Sequence, residues 1–160
     1  MENIGGDSND QNYRYRMPKI VIKGEGKGNG VKTVLVNISE VARHLRRDPR
    51  AVTRYFGYEL GALSKFDEKK NQGVVNGSHS FATIHDLLNL YIRNFVLCSQ
   101  CGNPETNFGL KDGMVCFDCL ACGGNTRAPP THRLTQSILK ELISAKKAKK
   151  SGKKRSRTKT

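Results

Sequence analysis

Cys98-Ser99-Gln100-Cys101, seventeen further residues, then Cys119-Leu120-Ala121-Cys122 is the stretch that decides how this chain folds. Two C-x2-C pairs at this separation have the spacing of a zinc ribbon. Two thiolates on one tight turn reach the same ion, and two such turns complete a tetrahedron with Zn–S bonds of about 2.3 Å. Gly102, Gly123 and Gly124 follow the pairs, where the backbone must bend for its N–H groups to approach sulfur. Lys111-Asp112-Gly113 between the pairs is a hairpin turn signal. Four buried thiols or two disulfides are the competing reading. The repeated spacing and the lack of a secretory leader favour metal.

Cys116 opens a second register, Cys116-x2-Cys119-x2-Cys122. Cys98, Cys101, Cys119 and Cys122 are the expected ligands because the second pair then repeats the first, leaving Cys116 as a thiol on the returning strand. Four thiolates leave no open coordination position, so the single Zn2+ is structural and a zinc enzyme is not expected.

Of the formal charge of +14 over 160 residues, nine cations and no acid fall in residues 146–160. A zinc on four thiolates lowers the total to roughly +12. A chain this basic meets nucleic acid more readily than acidic substrates. No apolar run approaches the roughly 20 residues of a membrane span. Cysteine usage points to a reducing, cytoplasmic setting. The sequons at Asn37 and Asn76 would stay unused there.

Working towards the N-terminus, residues 80–95 carry Ile84, Leu87, Leu88, Tyr91 and Phe95 on one helical stripe that feeds into Cys98. Residues 64–67 and 74–76 read as strands around Lys69–Gly73. Asp48-Pro49 reads as an N-cap and first helical residue, with Val52, Tyr55, Phe56 and Leu60 inward. Asn37 and Glu40 form a capping-box pattern ahead of Ile38, Val41, Ala42 and Leu45. Arg43, Arg46, Arg47, Arg50 and Arg54 read as a solvated face. The two short helices lack base-reading Asn or Gln, which argues against DNA readout. His79 and His85 read as surface or satisfied side chains.

Residues 19–23 and 31–36 read as strands flanking Gly24–Gly30, where four glycines alternate. This is not a P-loop, since G-x-x-x-x-G-K-[ST] is absent. It is a flexible connection or, with Lys23, Lys27 and Lys32 beside it, a place where RNA phosphates approach the backbone. Tyr13-Arg14-Tyr15-Arg16-Met17-Pro18 reads as an edge strand or as an arm whose arginines reach a partner's phosphates. Residues 1–12 are polar and expected to be disordered. After Ala128-Pro129-Pro130, residues 134–145 form a short amphipathic helix, and residues 146–160 a disordered basic tail that associates with RNA. The expected organisation is α+β: disordered 1–12, a mixed α/β core with its arm over 13–95, a zinc ribbon over 96–133, the short helix, and the tail.

Taken in order, Tyr13–Pro18, Gly24–Gly30 with Lys32-Thr33, Tyr55-Phe56-Gly57-Tyr58-Glu59-Leu60-Gly61, Asn76-Gly77-Ser78-His79, Phe95–Cys98 and Asn103-Pro104-Glu105-Thr106 resemble the N-terminal half of eukaryotic translation initiation factor 5. The initiation factor 2 beta subunit shares this architecture. The resemblance implies a GTPase activator, not an enzyme, that serves the gamma-subunit GTPase of initiation factor 2 at start-codon selection in the 43S/48S complex. GTP and Mg2+ then belong to the partner. It implies Arg14 as an arginine finger, supported by Arg16, Lys32 and Arg54. It also implies that Lys23, Gly26, Lys27, Gly28, Asn29 and Gly30 approach initiator tRNA and mRNA on the small ribosomal subunit. A monomer is expected. An arginine finger raises phosphoryl-transfer rates by ~10³–10⁵, or roughly 4–7 kcal/mol of barrier. The alternative is a beta-subunit-like adaptor or decoy that occupies the ribosome without activating hydrolysis. The family's second, helical-repeat domain has no counterpart in these 160 residues, which a compact or a divergent version of the factor would fit.

Overall fold

The computed structural model describes residues 1–155, the last five as backbone only. Its centre is an antiparallel four-stranded sheet of β3 (Ile22–Glu25), β4 (Lys32–Leu35), β5 (Ser64–Asp67) and β6 (Gln72–Asn76), ordered β3-β4-β6-β5. Short hairpins join β3 to β4 and β5 to β6, while two helices are inserted between β4 and β5. These are α1 (Ile38–His44) and α2 (Pro49–Leu60). The Asp48 carboxylate accepts from Arg50 N at 2.9 Å and Pro49 takes the first helical position. Next comes α3 (Phe81–Phe95), capped by Ser80 Oγ accepting from Thr83 N at 3.2 Å. Its stripe of Ile84, Leu88, Tyr91 and Phe95 is fully buried.

Helix α2 lies very close to the sheet. A Cβ on Gly57 would collide with Ser64 Oγ and with Ala62 O. This position therefore takes only glycine, despite the helical cost of roughly 1 kcal/mol. Tyr55 meets Tyr91 and Phe95 with ring centroids 5.0 and 5.8 Å apart.

The ribbon comprises β7 (Thr106–Lys111), β8 (Met114–Cys119) and β9 (Asn125–Arg127), all antiparallel. Asp112 and Gly113 both take positive φ between paired Lys111 and Met114, as a two-residue primed hairpin turn requires. Val115 and Phe117 join the same apolar cluster as Leu35, Phe56 and Phe95, so core and ribbon share one interior.

Three segments differ from their sequence reading. Residues 1–12 are not without structure: β1 (Glu2–Asn3) pairs with β2 (Arg16–Met17). Ile4 and Met17 are buried in the core, and Glu2 meets His85 Nε2 at 3.1 Å. One apolar anchor outweighs the polar composition around it. The terminal helix α4 is not confined to 134–145, but runs Arg133–Arg155. Leu134 and Ile138 dock it, and once a helix is nucleated, Ala and Lys prolong it at little cost. The last five residues of the expected basic tail, 156–160, lie outside the described residues. Finally, Asn37 makes no side-chain cap. Its amide instead bridges Lys19 O and Val21 N, each at 2.8 Å, and the first core strand begins at Ile22 rather than at Lys19.

Candidate functional site

Local backbone geometry builds the candidate metal centre from two copies of one turn. Gly102 N donates to Cys98 O at 2.9 Å, and Gly123 N to Cys119 O at 3.0 Å. Cys98 N donates to Asn103 O at 3.0 Å, and Cys119 N to Gly124 O at 2.8 Å. The repeat in sequence is thus a repeat in hydrogen bonding. It brings the Sγ atoms of Cys98, Cys101, Cys119 and Cys122 within 4.8 Å of one another. Cys98–Cys122 and Cys101–Cys119 are each 3.6 Å apart, close to the ~3.8 Å edge of a tetrahedron with Zn–S bonds near 2.3 Å. No disulfide joins any cysteine. Burial resists ionisation of Cys98, but N–H donors from Cys101 and Gln100 and the thiols of Cys122 and Cys101 outweigh it and bring the pKa to about 6. A thiolate there is what a cation needs, whereas Cys101, favoured by the Asn103 N–H but opposed by burial and by the thiols of Cys119, Cys122 and Cys98, has its pKa pushed up to about 12. The donor set fits Zn2+, which these four residues would hold as a structural ion. Cys116 stands apart on β8, its Sγ 3.8 Å from Gly109 O across the ladder.

In the arm, the two arginines part company. Arg16 is engaged in structure: Nε donates to Asn3 Oδ1 at 3.2 Å, and Nη2 to the carbonyls of Gln11 and Asp10. Its expected role as a supporting cation is set against this use as a clamp. Arg14 is exposed. Its guanidinium lies 5.8 Å from the Tyr15 ring and makes no hydrogen bond or ion pair among the described residues. Lys32 is at the far end of the β3–β4 hairpin, opposite Glu25 and Asn76. Arg54 faces α4, with Ser137 Oγ at 2.5 Å and Glu141 Oε1 at 2.7 Å. No contact among the described residues joins Arg14, Lys32 and Arg54 into one cluster.

The glycine loop is a single 3-10 turn at Gly28–Gly30, with Lys23, Lys27, Gly28, Asn29 and Gly30 exposed. Gly26 has φ +88°, and a Cβ there would strike Gly30 O, so this glycine shapes the turn itself. Gly24, Gly28 and Gly30 face open space. The loop and Asn76-Gly77-Ser78 line a cavity of about 390 Å³ that is open to solvent.

A family model described as a domain found in initiation factors 2B and 5 matches residues 6–125, which include the arm, the loop and all four clustered cysteines. The chain belongs to this initiation-factor domain family. It is 45% identical over 150 residues to the probable eukaryotic translation initiation factor 5 of Schizosaccharomyces pombe, covering 92% of this chain and 38% of that protein. Identity to the probable eukaryotic translation initiation factor 5-2 of Arabidopsis thaliana is 47% over 152 residues, 94% of this chain and 35% of the relative. The eukaryotic translation initiation factor 5 of Mus musculus gives 45% over 140 residues, 86% of this chain and 33% of the relative. The chain therefore spans little more than a third of these curated relatives. No helix among the described residues is long and apolar enough to cross a membrane.

Within this initiation-factor domain the residue that sequence reasoning missed is Arg47. It is not on a solvated face but 6% exposed, lying between core and ribbon. Its guanidinium donates to Phe95 O at 3.1 and 2.8 Å, to Thr106 O at 2.7 Å and to Thr106 Oγ1 at 2.6 Å. It also lies 4.2 Å from the Phe108 ring centroid. Burial lowers its pKa to about 10, so it stays charged at neutrality. Phe95 O is at the C-terminal end of α3, where the helix dipole favours a cation. Nothing in the charge pattern distinguishes Arg47 from Arg46; only the fold does.

Proposed function

We propose that this chain is a GTPase-activating translation initiation factor that supplies Arg14 to the gamma-subunit GTPase of initiation factor 2, in the initiation complex on the small ribosomal subunit. The observation that carries the reading is the division of labour in the arm: Arg16 is taken up by carbonyl and amide partners, while Arg14 is exposed and without a hydrogen bond or ion pair among the described residues. A finger must keep its planar fork open until it meets the transferring phosphoryl group, where it offsets charge on the equatorial oxygens. GTP and Mg2+ remain in the partner, and this chain turns over no substrate itself. The names of the relatives support the setting, translation initiation. The loop of Lys23 and Gly26–Gly30, with Lys32, would face initiator tRNA and mRNA during start-codon selection. Its exposed amides and lysines suit phosphate contact without base reading. Arg54 would serve as a support only with Glu141 displaced.

Adding the full chain to reconstituted initiation complexes loaded with GTP tests this reading. Single-turnover hydrolysis by initiation factor 2 is expected to accelerate by ~10³-fold or more. Binding to the complex without acceleration would reject activation and leave the adaptor reading.

A further inference from the structure

The first half of α4 is fastened to the body: Leu134 and Ile138 are buried, and Ser137 and Glu141 hold Arg54. From Ile143 to Lys150 every residue is exposed, and the helical backbone continues to Arg155. At 100° per residue, Lys146, Lys147, Lys149 and Lys150 fall within an arc of about 160°, while Ser144, Ala145 and Ala148 occupy the other side. The only acid on the described helix is Glu141, and Arg54 takes it. The pairs 146/149, 146/150 and 147/150 are helical neighbours of like charge and repel. This face costs the free protein stability, and a polyanion offsets that cost.

We propose that the exposed stretch of α4 from Ile143 to Lys150 is a rigid, one-sided basic arm that binds the phosphate backbone of double-helical RNA without reading its sequence. The proposal takes only its biological setting from the translation-factor reading above. The residues of the arm select the partner. Lysines are point charges suited to neutralising phosphates, and they lack the rigid planar fork with which arginine reads a base edge. Residues 143–150 hold no aromatic or arginine side chain, so unpaired bases have nothing there on which to stack, and no Asn or Gln to reach base edges. Beyond Ile143 there is no large apolar side chain either, so an acidic protein would find no anchor of the kind that dominates protein interfaces. A nucleic-acid duplex offers about one charge per 1.7 Å of axis. The four lysines, spread over ~6 Å of helix, can therefore each meet a phosphate without matched spacing.

The experiment measures affinity of the full chain across a salt titration for three probes: a blunt RNA duplex in two unrelated sequences, a single-stranded RNA of equal length, and polyglutamate. Replacing Lys146, Lys147, Lys149 and Lys150 together by Gln is expected to lower the slope of log affinity against log salt by roughly 3–4 on duplex RNA. Ala145→Pro keeps every charge but breaks the helix between its fastened and free halves, and is expected to weaken duplex binding about tenfold by removing preorganisation. The two duplex sequences should bind alike. An unchanged slope in the Gln variant overturns the proposal. So does equal loss on single strands with no effect of Ala145→Pro, which describes a flexible tether, and so does a variant effect confined to polyglutamate, which describes an acidic protein partner. Arg14→Ala should leave duplex binding intact, so failure of this arm and failure of the activator reading are separable.

Discussion

Arg47 brings a full charge into the interior with no carboxylate to meet it, only backbone carbonyls and a threonine hydroxyl. Removing it leaves those acceptors buried without donors, at about 1–3 kcal/mol each. Arg47→Ala is therefore expected to cost about 3 kcal/mol or more in denaturant unfolding. Arg47→Lys should recover little of it, because an ammonium cannot span both acceptor residues. Gly57→Ala should destabilise by about 2 kcal/mol, since Ser64 and Ala62 leave no room for a methyl group. The hydroxyls of Tyr55 and Tyr91 are buried with no hydrogen-bond partner among the described residues. Burial raises the Tyr91 pKa above its ordinary 10.0. Below about pH 10 the phenol is neutral in both folded and unfolded chains. As pH rises further the unfolded chain ionises first, and stability is lost. Thermal melts from about pH 9 to 11 should show Tyr91→Phe losing less stability than wild type, with little difference near pH 7.

Among the elements, the two cysteine turns predict one zinc per chain, with Cys98, Cys101, Cys119 and Cys122 each required. Cys116→Ser should retain the metal, because its sulfur faces Gly109 across the ladder rather than the cluster. Metal content of the five single Ser variants is the check; zinc loss in Cys116→Ser with retention in Cys119→Ser would mean the other register. These turns were legible in sequence because their chemistry is local: cysteine spacing, Asp48-Pro49, Ser80 and the Tyr91–Phe95 stripe each act within a few residues of themselves. What sequence hid is long-range. Ile4 anchors an otherwise polar segment by docking in the core, Asn37 serves a residue sixteen positions before it, and Arg47 reaches Thr106 fifty-nine residues away. The length of α4 was hidden for a different reason: a lysine run reads as a solvated tail unless the docked half that nucleates it is visible.

Across the whole molecule, ribbon and sheet share one apolar interior pinned by Arg47, so an ion held by the four cysteines would support more than its own loops. Chelation should lower the melting temperature of the entire chain in one transition, by roughly 10 °C or more. Two separate transitions would show that core and ribbon are independent. The same rigidity gives the arm its meaning. β1–β2 fixes the backbone just after Arg14, Arg16 holds the turn, and Arg14 makes no hydrogen bond or ion pair among the described residues. The proposed activation rests on this one guanidinium. Single-turnover GTP hydrolysis by initiation factor 2 decides it, at saturating concentrations of wild type, Arg14→Ala, Arg14→Lys and Arg16→Ala, with melting temperatures measured alongside. Arg14→Ala should fold and bind normally yet lose stimulation by ~10³-fold or more, with Lys restoring little; Arg16→Ala should chiefly lower the melting temperature. Near-normal stimulation by a fully folded Arg14→Ala would refute the assignment.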